Sequence, residues 1–372
     1  MAANDEEYTT KIRAELLRKP GEFRAYFRVY NILLQQGTGD HIIPGPASPE
    51  RQPLSHDAVL TAASILKANS KHTPETTVSK LRTRLPQGHQ ERELKFAVNL
   101  AVQAMLMLDV NLIDSLTTDC SIHKDRRPKW ASGEPFVDFV TGSFPRVSTE
   151  RQDRVASVLG DKKSLKAWKL EKRLHLIFRG TDNIADHLLF NPNTRVLYLF
   201  HHAAYIKAHL SSWSDHETPK GVGIATALER GTLSPSLLAE TLHSLQSILF
   251  RYDDERSMAI LKRLVKKEGF DESCCVHEGY KVFRDTAEDI TYVYWGERLA
   301  ALHDLVLNKP PRGRFQRWMR WQTSESNSFL VAMLALVISI IVGILSLGLS
   351  AFQAWVTWQA WKYPNQPPGG DL

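Results

Sequence analysis

The amino-acid sequence predicts a mainly α-helical protein, with a helical cytosolic body, a small β-hairpin element and one C-terminal transmembrane helix. Three observations predict this class. Apolar residues recur at helical spacing along the first 308 residues, residues 329–361 carry no charged side chain, and one stretch has the pattern of a hairpin. The predicted regions are an N-terminal helical region (1–120), a helical region with the β element (121–308), a basic and aromatic juxtamembrane segment (309–327), the transmembrane helix (328–358) and a short tail (359–372).

The first region contains five predicted helices, which cover residues 8–18, 22–36, 56–68, 74–84 and 91–109. A Pro-rich stretch, 42–53, predicts an irregular loop, and a polar stretch, 115–127, predicts a domain boundary. The second helix carries a stripe that is expected to pack into the core, formed by Phe23, Tyr26, Phe27, Tyr30, Leu33 and Leu34. The fifth is expected to bury Leu94, Val98, Leu100, Ala101, Met105 and Leu108.

Large side chains between Trp130 and Pro145 open the second region and predict a turn-rich stretch. The predicted elements that follow are a helix at 162–172, a strand at 174–178, a short helix that Thr181 or Asp182 caps and that ends at His187, and a helix at 203–210. Between the last two, the apolar runs 188–190 and 196–200 flank Asn191-Pro192-Asn193-Thr194, which is the pattern of a β-hairpin.

Three longer helices are predicted to complete this region. Ser234 and Pro235 begin the first of them, and its packing seam consists of Leu238, Leu242, Leu245 and Leu249. The second, 253–268, has acids at its start, cations near its end and Gly269 just past it, the order that the helix dipole favours. The third, 289–307, places Trp295, Leu299, Leu302 and Val306 on one face.

The stretch from Phe329 to Leu349 consists almost wholly of Leu, Val, Ile, Ala and Met. About 20 apolar residues in a helix cross the hydrocarbon layer of a bilayer, which is about 30 Å thick. A buried core helix of a soluble protein is usually shorter and has a polar face, which this stretch lacks. The sequence therefore predicts a membrane span.

Residues on both sides of the span have the character of the membrane interface. Arg stems lie along lipid with their charged ends at the phosphates, and indole rings prefer the headgroup layer. The predicted interface residues are Arg312, Arg314, Arg317, Trp318, Arg320, Trp321, Trp355, Trp358 and Trp361.

The distribution of cations predicts the orientation. Five cations lie within 309–320, whereas Lys362 is the only one beyond the span, so the large N-terminal part is expected in the cytosol. The first thirty residues contain no apolar stretch typical of a signal peptide, which predicts a tail-anchored topology. The long apolar span favours the endoplasmic reticulum and secretory membranes over the mitochondrial outer membrane.

Small residues form a stripe along the predicted span. Ala335, Ser339, Gly343, Ser346, Ser350 and Ala354 recur every three or four residues, which keeps them on one helix face. Because small residues let helices approach closely in lipid, the stripe predicts self-association or pairing with a partner's span.

Charge and cysteine usage fit a cytosolic body. The formal net charge is +6, and subtracting the five juxtamembrane cations leaves a nearly neutral remainder. That balance argues against a nucleic-acid binder, which is expected to be basic over its domain. Cys120, Cys274 and Cys275 have neither the number nor the spacing of a disulfide framework or a zinc site, and are expected as reduced thiols.

Several motifs stand out in the second half of the chain: Leu176 to Leu188 (Leu-x-Phe-Arg-x-Thr-Asp-Asn-Ile-x-Asp-His-Leu), Phe200 to Lys207 (Phe-His-His-x-Ala-Tyr-x-Lys), Leu238 to Gln246, Gly269-Phe270-Asp271, and Phe352 to Val356 with Trp361 to Pro364. Together they resemble a family of uncharacterised filamentous-fungal proteins with a C-terminal transmembrane anchor. The resemblance covers Ala167 to the C-terminus, and it implies a fungal membrane-anchored protein without an assigned activity.

One polar cluster carries the residue types of a metal or acid–base site. Asp182, Asp186, His187, His201 and His202 lie within 21 residues, and the hairpin would bring the histidines together. The structural alternative is that Asp182 helps to cap a helix, Asp186 makes a surface contact, and one of His201 and His202 packs while the other faces solvent. No motif of zinc, phosphate, dinucleotide or serine-nucleophile chemistry occurs, so we predict no metal and no cofactor.

Three functions remain open. The leading hypothesis is a membrane-anchored helical interaction or scaffold module with the bilayer and an unknown protein as partners. The second is a membrane-tethered metal-dependent hydrolase that uses the His and Asp cluster. The third is a nucleic-acid reader, because the pattern of helix, strand, helix and hairpin between 162 and 200 is similar to a winged helix, although the neutral body argues against it.

Overall fold

The computed structural model describes residues 2–19, 21–36, 55–85, 89–110, 129–213, 222–277, 291–308 and 328–362. The described helices are α1 (Ala2–Ile12), α2 (Arg24–Gln36), α3 (His56–Ala68), α4 (Pro74–Arg84), α5 (Glu91–Leu106), α6 (Phe136–Ser143), α7 (Thr149–Gly160), α8 (Ala167–Leu174), α9 (Ala203–Ser211), α10 (Ile224–Glu229), α11 (Pro235–His243), α12 (Glu255–Glu268), α13 (Gly296–Asn308) and α14 (Ser328–Lys362). The strands are β1 (Ile177–Thr181), β2 (Phe190–Asn191) and β3 (Val196–Phe200). The predicted fold class, mainly helical with a small β element and one long apolar C-terminal helix, is confirmed.

The chain divides into two compact units, Met1–Leu307 and Asn308–Leu372. The predicted boundary near residue 120 falls in 111–128, outside the described residues, and stays a prediction. The Pro-rich loop at 42–53 and the six predicted interface residues between Arg312 and Trp321 also lie outside the described part of the chain.

Helices α3, α4 and α5 pack against one another and begin at strong caps. The Ser55 hydroxyl accepts from the backbone N–H of Asp57, and Thr73 and Thr76 form a reciprocal capping box ahead of Pro74. These local signals explain why the starts of α3 and α4 coincide with the prediction, and the ends coincide as well. The core positions predicted for the fifth helix are buried, although α5 ends at Leu106, three residues earlier than predicted, because Met107 adopts the left-handed conformation. Of the six stripe residues predicted for the second helix, Phe23, Tyr26 and Tyr30 are buried and the other three are partly buried against the core.

Residues 130–145 do not form a turn-rich stretch throughout, because α6 occupies Phe136–Ser143. Phe136, Phe139 and Val140 have the i, i+3, i+4 spacing of one helix face, and all three are buried. The sequence pattern also missed α7, whose buried apolar side chains include only Val155 and Val158.

The sheet has three strands in the order β1-β3-β2. Strands β2 and β3 form the predicted hairpin, and the Asn191 side chain accepts from the backbone N–H groups of Asn193 (3.0 Å) and Thr194 (3.3 Å). β1 begins three residues later than predicted, because α8 continues to Leu174 and His175 adopts the left-handed conformation that ends it. β1 pairs in parallel with β3, which the hairpin pattern did not predict.

The seam predicted downstream of Ser234 is confirmed. Its four leucines are at most 1% exposed, on α11 and the π-helical turn that continues it to Leu249. Helix α12 ends at Gly269, whose positive φ of 71° suits the absence of a side chain. Helix α13 starts later than predicted, but the four residues predicted on its buried face are all buried.

Helix α14 contains 35 residues. Every side chain described on it, from Ala335 to Lys362, is exposed, and this stretch has a mean hydropathy of 2.5 in its most apolar window. At 1.5 Å per residue the helix is about 52 Å long, enough to cross both the hydrocarbon layer and the headgroup regions of a bilayer.

Candidate functional site

The candidate site lies where the two parallel strands end. The register pairs Thr181 with Phe200, so the residues that follow on each strand come out at the same edge of the sheet. Ligand sites of α/β sheets commonly lie at the carboxyl ends of parallel strands. Here that edge presents Asp182 from β1 and His201 and His202 from β3.

Both histidines contact one carboxylate oxygen. Asp182 Oδ1 lies 2.7 Å from His202 Nε2 and 3.4 Å from His201 Nε2. The His201 and His202 side chains are 7% and 1% exposed, whereas that of Asp182 is 46% exposed. Neither histidine faces solvent, which corrects the alternative that only one of them packs. We call Asp182, His201 and His202 the Asp–His–His cluster.

The His201 ring is held between two other rings. His202 stacks on one side, with ring centroids 4.3 Å apart, and Phe270 on the other at 5.0 Å. The backbone N–H of Asp271 donates to His201 Nδ1 (3.3 Å), and the Cys274 thiol donates to the His201 carbonyl (3.0 Å). The loop at 270–274 therefore holds both the ring and the backbone of His201 in place.

Gly180 leaves the room that the His201 ring occupies. A β-carbon at position 180 would lie 2.7 Å from His201 Cδ2, closer than side chains tolerate. Asp271, in turn, accepts from the backbone N–H groups of Ala204 (2.7 Å) and Ser273 (2.9 Å), which ties the loop to the start of α9. Gly180, Phe270 and Asp271 are not among the residues predicted for the site, although Gly269-Phe270-Asp271 is one of the sequence motifs.

The electrostatics of the cluster follow from its burial and its hydrogen bonds. Burial alone would raise the pKa of Asp182, but the hydrogen bonds from the two imidazoles outweigh it and hold that pKa well below its usual range. Burial and the neighbouring His201 lower the pKa of His202, against the opposite pull of Asp182. The stable state is a charged carboxylate that accepts from a neutral His202.

Asp186 and His187 do not join the cluster. The Asp186 carboxylate lies 3.5 Å from the Thr181 hydroxyl, and the side chain that caps the short 3₁₀ turn at Ile184–Asp186 is Asn183, not Thr181 or Asp182. His187 is fully buried, with its Nε2 2.7 Å from Ser244 Oγ and its Nδ1 accepting from the Phe200 backbone N–H (3.2 Å). The site predicted from five residues therefore separates into two places.

The His187–Ser244 pair has the wrong tautomer for a catalytic dyad. Because the Phe200 N–H points at Nδ1, the neutral ring carries its proton on Nε2 and donates to Ser244. Burial, with the Arg298 charge, lowers the pKa of His187 to about 3. A general base needs a free lone pair towards the serine, so this pair is a buried structural contact.

The same reasoning applies to metal binding at the Asp–His–His cluster. One ligand atom from each of the three residues lies within 4.8 Å of the others, and two imidazoles with a carboxylate are a common zinc donor set. However, the Asp271 N–H occupies His201 Nδ1, which leaves the ring proton on Nε2, where a metal would bind. The geometry favours a hydrogen-bonded cluster that joins β1 to β3.

We expect the purified full-length protein to bind no zinc at one-to-one stoichiometry, and its melting temperature to stay the same after treatment with a chelator. Metal analysis by mass spectrometry and a thermal scan measure both. Stoichiometric zinc that is lost in His202→Ala and kept in His187→Ala would contradict the tautomer argument and would revive the hydrolase hypothesis.

Comparison with known proteins adds no relative to this chain. No family model, no curated protein and no solved structure matches it. The resemblance to fungal membrane-anchored proteins thus stays a prediction from the sequence motifs.

Proposed function

We propose that this protein is a single-pass membrane protein whose Met1–Leu307 unit faces the cytosol and acts as a helical interaction module. The observation that carries the proposal is α14. Its described side chains from Ala335 to Lys362 are all exposed, and apolar, uncharged residues dominate them up to Lys362. A surface of that length and composition is unfavourable in water and is satisfied by lipid.

The ends of α14 support the same interpretation. Trp355, Trp358 and Trp361 lie in its last two turns, where they fit the headgroup layer on the far side of a bilayer. Lys362 lies over the Trp358 ring, 4.8 Å from its centroid, which places a cation beside an interfacial aromatic ring. The excess of cations in 309–320 favours a cytosolic location for the large unit and an endoplasmic reticulum or secretory membrane.

The small-residue stripe also lies within α14. Ala335, Ser339, Gly343, Ser346, Ser350 and Ala354 are all part of one continuous helix, and their side chains are exposed. Self-association or pairing through this face stays a prediction, as do the identity of the protein partner and the absence of nucleic-acid binding.

Membrane insertion can be tested on the full chain with an N-terminal tag. We expect the protein to remain in the membrane pellet after alkaline extraction, and the tag to be digested by protease added to sealed endoplasmic reticulum vesicles. Two Arg residues at the centre of the helix cost about 5–7 kcal/mol of insertion free energy, so Ile341→Arg with Leu345→Arg should move the protein to the soluble fraction.

A matched control exchanges the same positions for apolar residues of similar size, Ile341→Leu and Leu345→Ile. This variant should behave as the unmodified chain does. Extraction of the unmodified protein by alkali, or retention of the two-Arg variant in the pellet, would contradict the anchor. Proximity labelling that compares the unmodified chain with the two-Arg variant would then identify the partners that depend on membrane location.

A further inference from the structure

Helices α8 and α12 pack side by side and bring the cations of two distant segments onto one surface. The Trp168 backbone N–H lies 3.4 Å from Ser257 Oγ, the Arg256 guanidinium lies 5.0 Å from the centre of the Trp168 ring, and Arg263 pairs with Glu171 at 2.5 Å. Helix α12 also contacts β1. We call the exposed surface of α8, β1 and α12 the basic face.

Two segments that contain α8, β1 and α12 hold more net charge than the whole chain. Between Lys162 and Thr181 there are seven Lys and Arg and one acid, and between Glu255 and Gly269 there are five Lys and Arg and two acids. These segments together carry a net charge of +9, whereas the chain as a whole carries +6. The net charge of the body is therefore nearly zero, although its charged residues are distributed very unevenly.

Some of these cations already have partners. Lys166 pairs with Asp254 at 3.3 Å, and the Lys169 ammonium lies 5.8 Å from the centre of the Trp168 ring. Five further cations of these segments are exposed, namely Lys172, Arg179, Lys262, Lys266 and Lys267. Such a concentration of one sign produces a positive potential that attracts an anionic surface.

An exposed apolar side chain accompanies the cation on β1. Ile177 is 57% exposed and shares a face of β1 with Arg179, two residues on. A cationic surface with an exposed aliphatic side chain suits the boundary between lipid headgroups and acyl chains. Duplex DNA offers the same negative charge, but its sugar–phosphate backbone offers no apolar partner to an exposed aliphatic side chain.

We propose that the basic face binds the anionic phospholipid headgroups of the membrane in which α14 is anchored. The inference rests on the proposed anchor, because only the 19 residues of 309–327 lie between α13 and α14. Whatever their conformation, they reach at most about 65 Å, so the unit stays at the bilayer surface. Tethering raises the effective concentration of lipid, and attraction to an anionic leaflet then orients the unit.

Lysine acetylation measures the contact directly. The full chain is reconstituted in nanodiscs of phosphatidylcholine alone or with about one third phosphatidylserine, and acetylation rates are read by mass spectrometry. Phosphatidylserine should slow acetylation of Lys172, Lys262, Lys266 and Lys267 by about threefold or more, and high salt should reverse the effect. Lys71, on the exposed turn before α4, should react at the same rate in both lipids.

Two variants with the same change in charge provide the control. Lys172→Glu with Lys262→Glu and Lys266→Glu should abolish the slowing at the remaining reporter, Lys267. Lys80→Glu with Arg84→Glu and Arg92→Glu, three exposed cations of α4 and α5, should preserve it.

The outcomes separate the face from the anchor. If the chain is not captured by nanodiscs, the proposed anchor fails. If it is captured but the two lipids give equal rates on the basic face, or Lys71 slows as much, the basic face does not bind the membrane. The protein in phosphatidylcholine nanodiscs can also be tested for binding to duplex DNA. Tight, salt-sensitive binding that is lost in the variant with Lys172→Glu, Lys262→Glu and Lys266→Glu would overturn the inference and would assign the face to nucleic acid.

Discussion

Acidification from pH 6.5 to pH 4.5 is expected to lower the free energy of unfolding of the Met1–Leu307 unit by about 3 kcal/mol. Two buried histidines cause the loss. Burial lowers the pKa of His187 and of His209 to about 3, with Arg298 and Arg18 adding to the respective effects. Unfolded histidines take up protons below about pH 6.5, which the folded state cannot do, so each costs about 1.4 kcal/mol per pH unit.

Glu240 acts in the opposite direction over the same range. Burial raises its pKa to about 7, although three backbone N–H groups oppose the shift. The folded state therefore takes up this proton before the unfolded state does, and the protonation stabilises the fold as the pH falls from 7 to 4.5. The stabilising effect of Glu240 cancels that of one histidine, so the free energy of unfolding falls by about 1.4 kcal/mol for each pH unit. The lowered pKa of His202 adds to the loss.

Urea unfolding of the full chain in neutral-lipid nanodiscs, followed by amide exchange in α9 and α11, measures this dependence. His209→Phe is the informative variant, because both ring nitrogens of His209 are buried without a hydrogen-bond partner among the described residues. The variant should gain about 3 kcal/mol relative to the unmodified protein between pH 6.5 and pH 4.5. The comparison across pH cancels the packing effect of the new ring, and an equal difference at both pH values would contradict the assignment.

The parts of the fold that the sequence predicts are those set by local chemistry. Ser55, Thr73 and Pro74 define the starts of α3 and α4 within a few residues of chain, and the leucine seam of α11 follows from helical spacing alone. Strand β1 is different, because its position is decided by parallel pairing with β3, at a register that pairs Ile177 with Val196. No local pattern encodes a partner 19 residues away.

The candidate site divides in the same manner. The sequence identified Asp182, His201 and His202, because a carboxylate and two histidines lie close together in the chain around a predicted hairpin. It could not separate His187 from them, since the residue after it, Leu188, has a positive φ of 59° and the chain turns away. The loop at 270–274, which holds His201, comes from a segment about 70 residues further on. The basic face was missed for a related reason, because a sum of charges contains no information about which helices pack together.

The largest loss of stability from a single substitution is expected at Glu240. This residue of α11 is completely buried, and its carboxylate accepts from three consecutive backbone N–H groups, those of Val293 (2.7 Å), Tyr294 (2.9 Å) and Trp295 (3.0 Å). These groups directly precede α13 at Gly296, so Glu240, on a distant helix, fixes the backbone that leads into α13.

Neighbouring contacts depend on the same geometry. The Trp295 indole donates to the Thr241 hydroxyl (2.7 Å), the Tyr292 hydroxyl and His243 Nδ1 lie 2.8 Å apart, and the Arg298 guanidinium lies over the Trp295 ring and donates to the Ala185 carbonyl (2.8 Å). Together these bonds join α11, the start of α13 and the turn after β1.

Glu240→Leu should therefore lower the free energy of unfolding by about 3–5 kcal/mol. Each buried N–H left without an acceptor costs about 1–3 kcal/mol, and part of this sum is offset because the variant no longer buries a carboxyl group. Glu240→Gln keeps the shape of the side chain and one acceptor oxygen, but its NH₂ group faces a backbone N–H donor where the second carboxylate oxygen was. The loss of unfolding free energy in this variant should therefore be about half as large. Urea unfolding of the full chain, together with amide exchange at 293–295, measures both variants. The exchange rates should rise in the order unmodified, Gln, Leu. Equal stability of the Leu variant and the unmodified protein, or exchange at 293–295 that does not respond to either substitution, would show that α13 is held by its apolar face alone.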